Sequence, residues 1–80
     1  MKDIKEILFS ILEDIHPEID FRTESRNFVS SGILVSFDIL QIIDDIEKSF
    51  NIKISGLDFI PENFSSIQSI ENLVNSKIKE

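Results

Sequence analysis

Apolar residues fall at Ile4, Ile7, Leu8, Ile11, Leu12 and Ile15, at steps of three and four that collect them on one face of a helix. Lys5, Glu6, Glu13 and Asp14 lie largely off that face. Asp3, three residues before Glu6, has the spacing of a capping box, and Pro17 ends the segment because proline disfavours helical geometry at His16. The pattern predicts a first helix over about residues 2–16. A second begins near Ser36, with Phe37, Leu40, Ile43, Ile46 and Phe50 spaced for one face and Ile39 and Ile42 beside it. A third starts at Ser65, whose S-x-x-Q spacing to Gln68 resembles a capping box, and runs through Ile67, Ile70, Leu73, Val74 and Ile78.

Between these helices the periodicity lapses. Residues 17–35 form a long polar stretch that Ile19, Phe21, Phe28, Ile33 and Leu34 are placed to pin to the core, and a loop of this length in a small domain is usually functional or anchored. The run Asn51-Ile52-Lys53-Ile54-Ser55 alternates like a strand but has no partner, so it is read as an extended loop with Ile52 and Ile54 inward. Residues 56–64 contain Pro61, which a first helical turn tolerates, and predict one short helix. The fold expected is all-α: a bundle of three main helices plus one short one, forming a single domain over residues 1–80.

Composition narrows the chemistry. Eighty residues bury only roughly 60% of the extended chain's surface, enough for one core. No Cys is present, which excludes a disulfide framework, a thiolate nucleophile and a Cys-based metal centre. A single His, His16, argues against a His-rich metal site or a Ser-His-acid triad, and its place beside Pro17 reads as a polar helix end. Asp44 and Asp45 are adjacent and point apart on a helix, so they make neither a carboxylate pair nor a calcium loop; no metal site is expected.

The net charge of -7 comes from 15 acidic residues against 8 basic ones and disfavours nucleic acid as a partner. Basic protein surfaces suit it better. The apolar cluster Ile7-Leu8-Phe9, Ile11-Leu12 is interrupted by Ser10 and too short to span a bilayer, so a cytoplasmic protein without membrane insertion is expected. A monomer is expected as well.

The most informative window is Gly32-Ile33-Leu34-Val35-Ser36-Phe37-Asp38, where a serine closes the long loop and opens a helix with acidic residues Asp38, Asp44, Asp45 and Glu47 against only Lys48. This layout resembles the acyl carrier protein family, whose hallmark is an Asp-Ser-Leu or Asp-Ser-Phe triplet at the start of its second helix. The similarity extends over nearly the whole chain, and the Ser-Gly-Ile-Leu-x-Ser-Phe wording is nearest to stand-alone D-alanyl carrier proteins. The resemblance implies that Ser36 accepts 4'-phosphopantetheine, derived from coenzyme A and added by a phosphopantetheinyl transferase. The thiol of that arm would carry acyl or aminoacyl groups as thioesters between loading and processing enzymes with basic docking surfaces, in fatty-acid, D-alanine or secondary-metabolite pathways.

By the same resemblance Val35, Phe37, Asp38, Gln41, Asp44 and Glu47 form the partner-binding surface. Phe50, Ile54, Phe59, Ile60 and Phe64 are candidates for a space that shelters an attached chain. The wording departs from the family at Val35, which stands where the family has Asp before the modified serine.

Taken alone, a serine opening a helix is an ordinary N-cap signal, and a charged helix face is ordinarily just solvated. Two classes of function therefore stay open: a carrier, without enzymatic activity of its own, and a noncatalytic helical adaptor, which includes a carrier relative left unmodified because Val35 replaces the Asp.

Overall fold

The computed structural model describes residues 3–79 and contains three helices, α1 (Ile4–Ile15), α2 (Ser36–Phe50) and α3 (Ile67–Ile78). Lys2, at the start of the expected helix, lies outside the described residues. Asp3 caps α1, its carboxylate accepting from the Glu6 N–H at 2.9 Å, and the helix ends at Ile15, two residues before Pro17, with His16 between them out of helical geometry at φ -132° and ψ 76°. At the other end of α2 the chain turns through Asn51 in the left-handed region at φ 54°.

Two expectations are corrected here. The short helix of residues 56–64 is two 3-10 turns, Gly56–Asp58 and Pro61–Phe64; Pro61 opens the second and cannot donate a backbone hydrogen bond that would continue the first. The cap of α3 is Ser66, not Ser65: the Ser66 hydroxyl accepts from the Ser69 N–H at 3.1 Å, while the Ser65 hydroxyl donates to the Glu62 carbonyl at 3.1 Å. After the turn at Asn51, residues 52–55 belong to no helix and pair with no other segment, and no strand occurs among the described residues.

α1 packs against both other helices, and its Leu8 and Leu12 meet Ile42 and Ile46 of α2 and Ile70 and Val74 of α3 in one buried cluster. Full burial of each such side chain contributes about 1.5–3 kcal/mol. The long loop is anchored as its apolar residues predicted. Phe21, Phe28 and Leu34 are buried, Ile19 and Ile33 pack at the edge, and the Phe21 and Phe28 rings meet edge to face at 5.4 Å. Backbone bonds complete the anchoring: the Phe28 N–H donates to the Ser65 carbonyl at 2.8 Å, and its carbonyl accepts from the Leu34 N–H at 2.8 Å. One residue thus ties the approach to α2 to the approach to α3.

The buried stripe of α2 differs from the expected one. Ile39, Ile42 and Ile46 face the core, Ile43 and Phe50 are half-buried, and Phe37 and Leu40 point to solvent, 75% and 56% exposed. Seven of the helix's fifteen residues are apolar, and they cover too wide an arc for all to meet α1 and α3.

Candidate functional site

The loop reaches α2 by a turn at Gly32, whose φ of 84° is a left-handed conformation that glycine adopts without steric cost. Buried Leu34 then fixes the chain, and Val35 enters the helix with extended backbone as its N-cap residue. Valine has no acceptor with which to cap. Instead the Asp38 carboxylate reaches back to accept the Val35 N–H at 3.0 Å, the reverse half of a capping box. Ser36 is the first residue of the helix, exposed, and its hydroxyl makes no hydrogen bond among the described residues. It is not the N-cap, so the ordinary structural use of a serine here does not apply.

Asp38 departs from its expected role. Expected among the partner contacts, it is only 9% exposed and turns toward the end of α1. The oxygen that holds the Val35 N–H also meets His16 Nε2 at 2.9 Å, and His16 Nδ1 lies 3.2 Å from the Glu18 carboxylate. The hydrogen bond to Asp38 outweighs desolvation and raises the His16 pKa above 6.5. Burial pushes the Asp38 carboxyl up, but the bonds from His16 and from the Val35 N–H together hold it below 3.8. His16 is thus more than the polar helix end that its place beside Pro17 suggests. Only its position as the single His, 22 residues before an acid at a helix start, hinted otherwise.

The outward face of α2 carries Phe37, Leu40, Gln41 and Asp44, neighbours at steps of three and four. With Val35, 54% exposed, they set an apolar surface beside Ser36 and an acidic one further along. Asp44 is exposed but pairs with Lys48 at 3.0 Å. Gln41 donates to Asp45 at 3.4 Å. Glu47 is half-buried, and its carboxylate accepts the Ile54 N–H at 2.8 Å, fastening the segment after the helix. Of the six expected partner contacts, Val35, Phe37, Gln41 and Asp44 are thus presented together, while Asp38 and Glu47 are engaged within the fold.

An open cleft of about 370 Å³ adjoins Ser36, lined by Val29, Gly32, Leu34, Val35, Ile39, Phe59 and Pro61. Of the five residues expected to shelter an attached chain, Phe59 alone lines it. Phe64 is buried in the core with its ring 6.4 Å from that of Phe59, Phe50 and Ile54 pack half-buried on the core, and Ile60 is exposed. The apolar space nearest the serine is therefore formed by the long loop and the 3-10 turns rather than by the far end of α2.

No cluster of three or more His, Cys, Asp or Glu suited to a metal occurs among the described residues, and no helix among them is long and apolar enough to cross a membrane. Comparison with family models, with curated proteins and with solved structures finds no match to this chain.

Proposed function

We propose that this chain is a carrier protein of the acyl carrier type, modified on Ser36 by 4'-phosphopantetheine from coenzyme A. The observation that carries the reading is the serine itself: first in a helix, exposed, unbonded and outside the capping position, which Val35 holds. A phosphodiester on its oxygen would lie near the positive end of the α2 dipole, a contribution of about 0.3–1 kcal/mol. The adjoining cleft offers apolar cover to the arm, whose thiol supplies the thioester chemistry that a chain without Cys lacks.

Ser36 needs no base of its own under this reading, because the transferase provides one. The chain binds, orients and presents; it is not itself an enzyme. Val35, Phe37 and Leu40 give the transferase an apolar contact around the serine, and Gln41 and Asp44 extend it toward a basic partner surface, where complementary charge speeds encounter. D-Alanine, another amino acid or a fatty or polyketide acyl group would hang from the same atom, and the loading enzyme selects among them.

Incubation with coenzyme A and a broad-specificity phosphopantetheinyl transferase is expected to add the mass of the arm, with Ser36→Ala abolishing the gain. If several transferases leave the wild-type chain unmodified, the carrier reading is wrong. The exposed apolar surface around Val35 and Phe37 then favours the noncatalytic adaptor.

A further inference from the structure

We infer that His16 is a positioning residue for Ser36, acting through Asp38: its imidazolium grips the carboxylate that holds the Val35 N–H, and so keeps the loop-to-helix junction in the geometry that presents the serine. The inference rests on the carrier reading for its functional meaning and on the structure for its geometry.

Both ring nitrogens of His16 face carboxylates, Nε2 to Asp38 at 2.9 Å and Nδ1 to Glu18 at 3.2 Å. Nε2 hydrogen-bonds the Asp38 carboxylate, which only accepts, and an unprotonated Nδ1 would turn its lone pair toward the Glu18 carboxylate, so the two acids around the ring favour its doubly protonated form. Asp38 faces His16 from α2, and Glu18 faces it from the loop after α1; these are the charged groups around the ring among the described residues. The same Asp38 oxygen serves the ring and the Val35 N–H, so the two bonds share one atom.

Loss of the proton removes the attraction to Glu18 and leaves the Asp38 carboxylate a neutral donor in place of a charged one. Asp38 then has less to hold it beside the helix end, and Val35, which has no capping side chain, depends on Asp38 alone for its N–H. The imidazolium also offsets the Asp38 charge close to the oxygen that would become an anionic phosphodiester. Geometry and charge act in the same direction, toward a junction better presented when His16 is protonated.

The test has two arms. In proton NMR, the His16 ring resonances are expected to titrate above pH 6.5, and the Val35 and Ser36 backbone amides to shift with the same midpoint. In Glu18→Gln, which leaves Asp38 untouched, that midpoint moves down for ring and amides together. For the second arm, modification rates of wild type and His16→Gln are compared across pH with the same transferase, so that the enzyme's own pH dependence divides out. The ratio of wild type to variant is expected to fall about fivefold as pH rises through the His16 titration, the difference between a charge-assisted and a neutral hydrogen bond. Amides that stay flat while the ring titrates overturn the inference, as does a ratio independent of pH. If Ser36 proves unmodifiable, the carrier reading fails by itself, and the amide titration still decides whether His16 positions the junction, even if His16→Gln does not fold.

Discussion

Two helices of this chain begin beside serines, and the serines are used in opposite ways. At α3 the Ser66 hydroxyl accepts the Ser69 N–H and also meets the Ser69 hydroxyl at 3.0 Å, so its polar capacity is spent on the helix end. At α2 the capping position falls to Val35, which offers no oxygen to the first N–H groups of the helix; Asp38 holds the N–H of Val35 itself, and Ser36 is left with an exposed, unbonded hydroxyl. A helix start needs its first N–H groups satisfied. Where a serine occupies the cap and does this it is structural; where another residue occupies the cap, the serine hydroxyl has no such duty. The residue type is the same in both places, and the bookkeeping of hydrogen bonds separates the roles.

The contrast can be broken most severely by exchanging the losses. Ser36→Ala is expected to abolish transfer of the arm while leaving stability nearly unchanged, because no hydrogen bond is removed. Ser66→Ala is expected to leave transfer intact and to cost about 1 kcal/mol in chemical denaturation, the usual loss of a serine cap. A Ser36→Ala variant that unfolds as readily as Ser66→Ala would erase the distinction.

Phe28 links the two starts, since its N–H reaches the Ser65 carbonyl and its carbonyl the Leu34 N–H. Removing its buried ring in Phe28→Ala is expected to cost about 3–5 kcal/mol, and hydrogen exchange should quicken at both junctions at once. Acceleration at only one of them would show that they are held separately.

A smaller change makes the α2 start resemble the α3 start. Val35→Asp supplies a capping oxygen where none exists and is expected to raise stability by about 1 kcal/mol, read as a higher denaturation midpoint. It also supplies the acid that the carrier family presents before its serine, so the transfer rate is expected to rise as well. An unchanged rate would mean that the transferase accepts Val35 as it is.

The smallest expected effect separates the junctions by pH. The His16 pKa is raised in the fold, so the stability it contributes is complete below the ordinary imidazole value of 6.5 and is lost as pH rises through the raised value. The Asp38 pKa is lowered, so its contribution is present above 3.8 and lost as pH falls through the depressed value. The α2 start is therefore held most firmly between those limits. Thermal unfolding from pH 6 to 9 is expected to show a loss of about 1 kcal/mol or less that disappears in His16→Gln. A loss that persists in the variant would assign it elsewhere.

Much of this architecture is legible in the residues. Asp3 and Pro17 bound α1, Pro61 opens a tight turn, and the aromatic and aliphatic residues of the long loop mark its anchors, because each signal is local or follows from the scarcity of apolar residues in a polar stretch. Ser36 at the opening of α2 is visible for the same reason. Its freedom from capping is not, because a serine can take any of the first positions of a helix and only the bonds made by Val35 and Asp38 decide which. The choice of Ser66 over Ser65 fails in the same way, as neighbouring serines offer equal local signals.

The sequence alone determined an all-α chain, its three helices, the long anchored loop and a serine at a helix start, since periodicity, proline and capping residues act over one or two turns. Tertiary structure alone decided which arc of apolar α2 is buried, so that Ile39, Ile42 and Ile46 turn inward while Phe37 and Leu40 surround Ser36. It also brought His16 to Asp38 across 22 residues of chain. Periodicity gives the angle between side chains on a helix, whereas the neighbouring helices set which angle faces the core, and a partner so distant in sequence is found only when the chain has folded.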